Sequence, residues 1–339
     1  MSQLSNYLNK FYTVLIVSLL LSGAGVNLAS VHQKDKEALT PATSISALWR
    51  DRGDVASLNL IHGPGSPGGE PRPIFTFVKE LPGGATAKFE VVDGQGQHWI
   101  AKLGDEAKSE TAATRLVWAA GYYTDEAYYM SDLRVEQLPK LGRGAEFVMN
   151  DGRVQSVRLE PIRSAQQTIG EWSWSENPFV GTREMNGLRI MMALINNWDL
   201  KKSNNAIYST MGEIRYVVSD LGGSFGKTGG VGSRTKSRLD DYATSKFIDD
   251  SDSESVDLRI KSRPFFLLAV DPYHYNKLAS REKVGREIPR ADARWLGQLL
   301  ARLSIEQIRD CFRAAGYTPA EVDGFAAVVQ QRIADLNRL

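Results

Sequence analysis

Five polar residues, spread over the chain, occur in an order that suits phosphoryl transfer. Lys102 ends a predicted strand, and Glu110 lies on the helix predicted to follow it. Asp199 and Asn204, with four residues between them, come directly after a predicted helix, and Asp220 begins an Asp-Leu-Gly at the end of a predicted strand. A lysine held by a carboxylate can bind nucleotide phosphates, an aspartate can orient a hydroxyl, and an asparagine and a second aspartate can bind Mg²⁺. The set predicts a site that transfers the γ-phosphoryl of MgATP to a hydroxyl.

Two kinds of secondary structure are predicted to position these residues. In the first half, short runs of β-branched and aromatic residues separated by Gly-rich turn signals predict a meander of strands. These runs cover 74–78, 87–92 and 98–103. A helix is predicted over 105–120, and Asn150-Asp151-Gly152 is typical of a hairpin turn. A further helix is predicted near 44–51.

Helices are predicted to dominate the second half. Apolar residues spaced three and four apart predict helices over 183–197, 291–303, 305–315 and 319–336, with short strands at 206–208 and 215–218. Ser304 with Gln307, and Thr318 with Glu321, are typical of capping boxes. The sequence therefore predicts an α+β fold. Its β-rich N-terminal lobe is expected at 74–162 and its α-rich C-terminal lobe at 163–339.

Composition excludes several classes of protein. The 339 residues contain 41 Lys and Arg and 40 Asp and Glu, for a net charge of +1, so we expect no nucleic-acid partner, which would favour a basic surplus. Cys311 is the single cysteine, which excludes a disulfide framework and a Cys-rich zinc site. The four histidines are not spaced as a metal-binding helix would require.

The N-terminal segment is predicted to be a targeting segment rather than part of the fold. Residues 11–29 carry no charge and follow Lys10, and small residues at 22–24 suit a signal peptidase. The alternative is an uncleaved anchor, since the uncharged run to residue 30 is long enough to span a bilayer. We therefore expect an extracytoplasmic or membrane-anchored protein. Residues 31–73 are expected to form a polar lead and a Gly/Pro-rich linker.

The order Lys, Glu, Asp-x₄-Asn, Asp-Leu-Gly resembles the protein-kinase-like superfamily. It is more similar to atypical members than to eukaryotic protein kinases. Those members are the HipA-type toxin kinases, the phosphatidylinositol 3/4-kinases, the secretory-pathway kinases and a group of predicted exported bacterial proteins. The resemblance covers about residues 75–335 and implies a two-lobed kinase-like fold that binds ATP with Mg²⁺ or Mn²⁺ between its lobes.

The resemblance also implies roles for individual residues. Lys102 would bind the nucleotide phosphates with the support of Glu110, and Asp199 would be the catalytic aspartate. Lys201 would contact the transferred phosphate. Asn204 and Asp220 would be the metal ligands, with Asn205 as an alternative to Asn204. The phosphate-covering loop would span Gly83, Gly84 and Lys88, and Glu160 with Pro161 would form the hinge that contacts adenine.

Four departures from the kinase pattern favour an atypical member. Asn197-Trp198 stands in place of His-Arg before Asp199, and the glycine loop lacks a GxGxxG pattern. Glu110 is only eight residues after Lys102, and Glu106 is a competing partner for that lysine. A segment ending in Ala-Pro-Glu is absent from the sequence.

The acceptor is expected to be a protein Ser/Thr hydroxyl, including one of this chain, with a lipid head group or small molecule as the alternative. Three other functions remain open from the sequence. The chain could be a nucleotide-binding pseudokinase, an AMP transferase, or an envelope protein that uses the fold as a scaffold.

Overall fold

The N-terminal part of the fold is a closed barrel of five strands. The computed structural model describes residues 45–339 except 85, 211, 230–233, 261–265, 271 and 274–281. The barrel strands are β2 (Phe75–Glu80), β3 (Lys88–Val92), β4 (His98–Leu103), β6 (Tyr128–Glu136) and β7 (Arg153–Pro161). Their order is β2-β3-β4-β7-β6, and a parallel pair between β6 and β2 closes the barrel. The predicted meander is thus present, with β6 as a strand that the sequence analysis missed.

Side chains alternate between the inside and the outside of this barrel. Phe89, Val91 and Trp99 belong to a buried core that fills it. Lys88 and Lys102 are paired by the β3–β4 register, so both lie on one face, which is the outer one. The alternation is what turns Lys102 away from the barrel interior and towards the rest of the chain.

The first helix, α1 (Glu106–Ala119), begins directly after β4 and carries Glu110. Its apolar residues, among them Ala112, Leu116 and Val117, belong to a second and larger core that they share with the C-terminal helices. The buried Arg115 donates hydrogen bonds to the carbonyls of Ile61 and Ala127. Glu110 is therefore fixed to the helical core, whereas Lys102 is fixed to the barrel.

A second sheet carries the segment between Asn204 and Asp220. Its strands are β1 (Ile45–Ala47), β10 (Glu213–Val218), β9 (Asn205–Thr210) and β8 (Gln167–Glu171), in that order, and β5 (Tyr123–Thr124) also pairs with β10. The helix predicted near 44–51 was wrong, because β1 pairs in parallel with β10. Residues of this lead, including Leu48, Val55 and Leu60, are buried in the larger core.

The C-terminal part is mainly helical, so the predicted α+β class, β-rich first and α-rich second, is confirmed. Its described helices are α2 (Arg183–Leu194), α3 (Leu239–Ala243), α4 (Phe266–Val270), α5 (Arg290–Leu300), α6 (Ile305–Arg313) and α7 (Pro319–Arg338). A small sheet accompanies them, with β11 (Ile248–Ser251), β12 (Ser255–Leu258) and β13 (Ile288–Pro289). Both predicted capping boxes are confirmed at the starts of α6 and α7.

Among the residues that the structure describes, no helix has the length and apolar character needed to cross a membrane. The uncharged run 11–29 lies outside the described residues, so the signal-peptide and anchor predictions stay predictions.

Helix α7 is fastened to the segment before Asp199 by a buried arginine. Arg332, which is 3% exposed, donates hydrogen bonds to the Leu194 carbonyl at 2.9 Å and to Asn196 Oδ1 at 2.7 Å. It also donates to the Ser245 hydroxyl and stacks over the Tyr242 ring. The α2 end that leads into the Asp199 loop therefore depends on this guanidinium.

We predict that Arg332→Met lowers the free energy of unfolding by about 3 kcal/mol, because it leaves several buried acceptors without a donor. Urea unfolding of the full chain measures this loss. Arg338→Met is the matched control, since the exposed Arg338 pairs only with Asp335 among the described residues and should change stability by less than about 0.5 kcal/mol. Equal losses in the two variants would contradict the role given to Arg332.

Candidate active site

Three of the predicted residues meet at the Lys102 ammonium. Lys102 Nζ lies 2.9 Å from Glu110 Oε2 and 3.3 Å from Asp220 Oδ1. The lysine comes from β4, the glutamate from α1, and the aspartate from the segment after β10. The lysine side chain is 11% exposed and that of Glu110 is 1% exposed, so the ion pair is almost completely excluded from solvent. The structure thus brings together residues that are up to 118 positions apart.

Asn204 connects Asp220 to Asp199. The backbone carbonyl of Asn204 accepts a hydrogen bond from the Asp220 amide at 3.3 Å. Its side-chain Nδ2 donates to the Asp199 carbonyl at 2.7 Å and to Asp199 Oδ2 at 3.2 Å. A 3₁₀ turn over Lys202–Asn204 reverses the chain between them. The four residues between Asp199 and Asn204 therefore allow the Asn204 side-chain amide to turn back and contact Asp199.

The carboxylate of Asp199 also receives a lysine. Lys201 Nζ lies 2.6 Å from Asp199 Oδ2. Asn197, which stands where a kinase loop has histidine, accepts a hydrogen bond at its Oδ1 from the Asp199 amide at 3.0 Å. Asn197 is 1% exposed, and its own amide approaches Met192 Sδ. An asparagine in this place can therefore anchor the aspartate backbone without a histidine.

A direct contact ties the Asp-Leu-Gly segment to α1. Ser109 Oγ donates to the Gly222 carbonyl at 2.8 Å. A Cβ at Gly222 would lie 2.9 Å from the Cβ of Glu106, which is too close for any larger residue. The glycine after Asp220-Leu221 is therefore required by the close approach of the helix.

Arg158 is a site residue that the sequence analysis missed. It lies opposite Lys102 in the β4–β7 register and is 4% exposed. Its Nε is 3.2 Å from Glu110 Oε2, and its Nη2 donates to Glu160 Oε2 at 2.9 Å. Glu160 thus lies on the outer face of the barrel, joined through Arg158 to the Lys102–Glu110 pair. Alternation of Arg158 and Glu160 along β7 was the available signal, but only the register with β4 shows its meaning.

Glu106 shares the lysine with Glu110. Its Oε2 is 3.3 Å from Lys102 Nζ and accepts a hydrogen bond from Thr86 Oγ1 at 2.8 Å, while its Oε1 is 2.8 Å from Lys236 Nζ. Glu106 therefore joins the glycine loop, the lysine and the segment after Asp220. Both candidate carboxylates bind Lys102, and that of Glu110 is the nearer and the more buried.

The charges of this cluster shift its pKa values. Burial acts to lower the pKa of Lys102, but Glu110, with Asp220 and Glu106, raises it above its ordinary value. Burial acts to raise the pKa of Glu106, but Lys102 and Lys236 lower it to about 2. Burial raises the pKa of Glu110, which Arg158 and Lys102 oppose. The lysine is therefore charged at every physiological pH.

The predicted glycine loop connects β2 to β3. Gly83 and Gly84 have φ values of +86° and +71°, a conformation that favours glycine. Their carbonyls accept hydrogen bonds from Arg143. Lys88 follows the loop, and a Cβ on Gly84 would lie 3.9 Å from its ammonium. The loop and Lys88 are thus next to each other, on the barrel face that carries Lys102.

The donor set suits a hard divalent cation. Among the described residues, no hydrogen bond is donated to Asn204 Oδ1 or to Asp220 Oδ2, so both oxygens are available for Mg²⁺ or Mn²⁺. Asn205 is 2% exposed and donates to the Trp172 carbonyl, so the geometry favours Asn204 over it. Within the described part of the chain, no cluster of three His, Cys, Asp or Glu side chains is placed to hold a metal. A metal here would therefore complete its shell with nucleotide oxygens or water.

The barrel, α1 and the β9–β10 pair bring the Lys, Glu, Asp-x₄-Asn and Asp-Leu-Gly residues into one site. Three similar solved structures are the proinflammatory kinase CtkA of Helicobacter pylori, the Golgi casein kinase with Mn/ADP bound, and HipA of Shewanella oneidensis MR-1 with HipB and operator DNA. They share 10%, 8% and 12% identity with this chain, with TM-scores of 0.45, 0.42 and 0.33. The matches cover 78%, 79% and 77% of this chain and 96%, 72% and 68% of the others.

No protein-family model matches the sequence, and the search of curated proteins gave no match.

We predict a pH-dependent contribution of Glu106 to stability. Because its pKa is lowered from 4.5 to about 2, its carboxylate stabilises the folded chain fully above pH 4.5, and this contribution is lost as the pH falls towards 2. Glu106→Gln should lower the free energy of unfolding by about 3 kcal/mol at pH 7. Urea unfolding at several pH values measures the difference between the two proteins.

That difference should shrink steadily below pH 4.5. The exposed Glu136 provides the matched control, and Glu136→Gln should leave stability nearly unchanged at every pH. A loss in Glu106→Gln that stays constant from pH 7 to pH 3 would contradict the ion-pair explanation.

Proposed function

We propose that this protein is a phosphotransferase that moves the γ-phosphoryl of ATP to a hydroxyl acceptor. The observation that supports it is one continuous chain of contacts, from Glu110 through Lys102, Asp220 and Asn204 to Asp199. These are the residue types that phosphoryl transfer uses, in the roles that it gives them.

The barrel side of the site would bind the nucleotide. Lys102, held by Glu110, which Arg158 also contacts, presents a fixed positive charge on the barrel face where Gly83, Gly84 and Lys88 also lie. Glycines next to lysines suit phosphates, because backbone amides can approach them closely. Glu160 and Pro161 end β7 where the chain leaves the barrel, which is where we place the base of the nucleotide.

The other side of the site would orient the acceptor. The Asp199 carboxylate, fixed by Asn204 and Lys201, would accept the proton of the attacking hydroxyl. The hydroxyl oxygen forms a bond to the γ-phosphorus as the bond from that phosphorus to the β–γ bridging oxygen breaks, and ADP leaves. Lys201 would stabilise charge on the transferred group. A metal held by Asn204 and Asp220 would neutralise the phosphate oxygens when bound.

We further propose that the protein acts outside the cytoplasm or at a membrane. This rests on the uncharged run 11–29 and its small residues at 22–24. A protein Ser/Thr hydroxyl, including one of this chain, is the acceptor that we favour.

The test is phosphate transfer by the full chain from γ-labelled ATP with Mg²⁺ or Mn²⁺. We predict label on the wild type, or on added protein, and a loss of about a hundredfold or more in Asp199→Asn and in Asp220→Asn. Asp250→Asn removes an exposed carboxylate of β11 and should keep full transfer.

Thermal stabilisation by MgATP separates the alternatives. Stabilisation without transfer, lost in Asp220→Asn, would leave a nucleotide-binding protein and contradict the proposed transfer. Label from α-labelled but not from γ-labelled ATP would establish AMP transfer instead. If MgATP gave no stabilisation and no label were transferred, the proposed nucleotide site would be overturned.

A further inference from the structure

A cavity of about 640 Å³ lies beside the loop that carries Asp199. One wall consists of four consecutive residues of that loop, 200–203. The other walls come from the segment after β8, from α2, and from residues 283–284. Its volume is in the range of sites that bind ligands or several side chains.

Lys201 connects this cavity to the reacting group. The lysine lines the cavity, and its ammonium lies 2.6 Å from Asp199 Oδ2. Leu200, next to Asp199 in the chain, lines the same wall. A molecule seated in the cavity is therefore within one side chain of the carboxylate proposed to take the acceptor proton.

Apolar side chains form much of the lining. Trp174, Met185, Leu200 and Val284 all contribute to it, and Met185, Leu200 and Val284 are buried. Since the cavity is larger than any single side chain, it can take an apolar side chain and its neighbours. The lining thus favours an occupant with an apolar group.

The charged groups at the mouth are mainly basic. Lys202 and Lys283 are exposed, and neither forms an ion pair with a described residue. Arg189 also lines the cavity, but its guanidinium donates to the carbonyls of Val284 and Arg286, so it holds the wall in place. Glu171 is the acidic residue of the lining. Charge complementarity therefore favours an acidic occupant.

Strand β8 leads into the cavity and favours a peptide over a free small molecule. It pairs with β9 on one side, no described strand pairs with its other edge, and its last residue, Glu171, lines the cavity. Ile169 in this strand is 51% exposed. An edge strand of this kind can pair with an extended peptide backbone.

We propose that the cavity is the acceptor site for an acidic peptide segment, with an apolar side chain between Trp174 and Met185 and carboxylates at Lys202 and Lys283. The proposal rests on the proposed phosphoryl transfer and adds the acceptor class to it. The Ser or Thr hydroxyl of the peptide would lie at Asp199, and Lys201 would lie between the cavity and the reacting group.

The experiment compares two synthetic serine peptides that each contain one phenylalanine, one flanked by glutamates and the other by lysines. Binding to the full chain is measured by fluorescence anisotropy, and transfer by γ-label. We expect the glutamate peptide to bind more tightly and to have the larger kcat/KM. The double variant Lys202→Glu/Lys283→Glu should weaken its binding and raise its KM by about tenfold, with the KM for ATP unchanged.

Lys140→Glu is the matched control, since this exposed lysine lies in a barrel loop and does not line this cavity. It should leave both peptides unaffected. Equal binding of the two peptides, or a preference that survives the double variant, would overturn the acceptor site while leaving self-labelling and MgATP stabilisation intact. Glutamate-peptide binding that is lost in the double variant, with no transfer of label to any acceptor, would keep the binding site but overturn both its acceptor role and the proposed function.

Discussion

The structure depends above all on the ammonium of Lys102. A lysine that is 11% exposed is costly unless carboxylates surround it, and here three carboxylates come from two separate elements: Glu110 and Glu106 on α1 and Asp220 after β10. The lysine belongs to the barrel, whose core is distinct from the larger core that holds α1. One buried charge therefore fixes how the barrel and the helical part meet. Arg158 adds a second cation, so that Glu110 is shared between two strands of the barrel.

The second constraint is the way in which Asn204 links two aspartates. Its backbone carbonyl receives the Asp220 amide, and its side chain binds Asp199. The loop and the Asp-Leu-Gly segment are therefore positioned by protein hydrogen bonds alone. Such preorganisation is what makes charged groups effective in transfer, because little reorganisation remains when the reacting atoms arrive. Arg332 stabilises the start of the same loop, because it donates hydrogen bonds to the carbonyl at the end of α2 and to Asn196.

The sequence was enough to predict residues whose contacts are made within one turn of the chain. It was not enough to predict residues whose contacts depend on the register between strands. Asp199 and Asn204 are joined by one turn, so their spacing was informative. Arg158 is buried and faces Lys102 only because β7 pairs with β4, 55 residues away in the chain, and no local pattern encodes that pairing. The same reason explains the wrong helix near 44–51. Its residues pair with β10, far along the chain, and this tertiary pairing outweighs local helix preference.

A net charge of +1 conceals how unevenly charge is distributed. At Lys102 the carboxylates outnumber the lysine, and their repulsion is relieved by Arg158 and Lys236. Beside the Asp199 loop the excess is reversed, with Lys201, Lys202 and Lys283 against Glu171. Lys201 both lines the cavity and binds Asp199 through its ammonium. An acidic group that entered the cavity would compete with Asp199 for this ammonium. Occupation of the cavity would thereby change the ion pairing of Asp199.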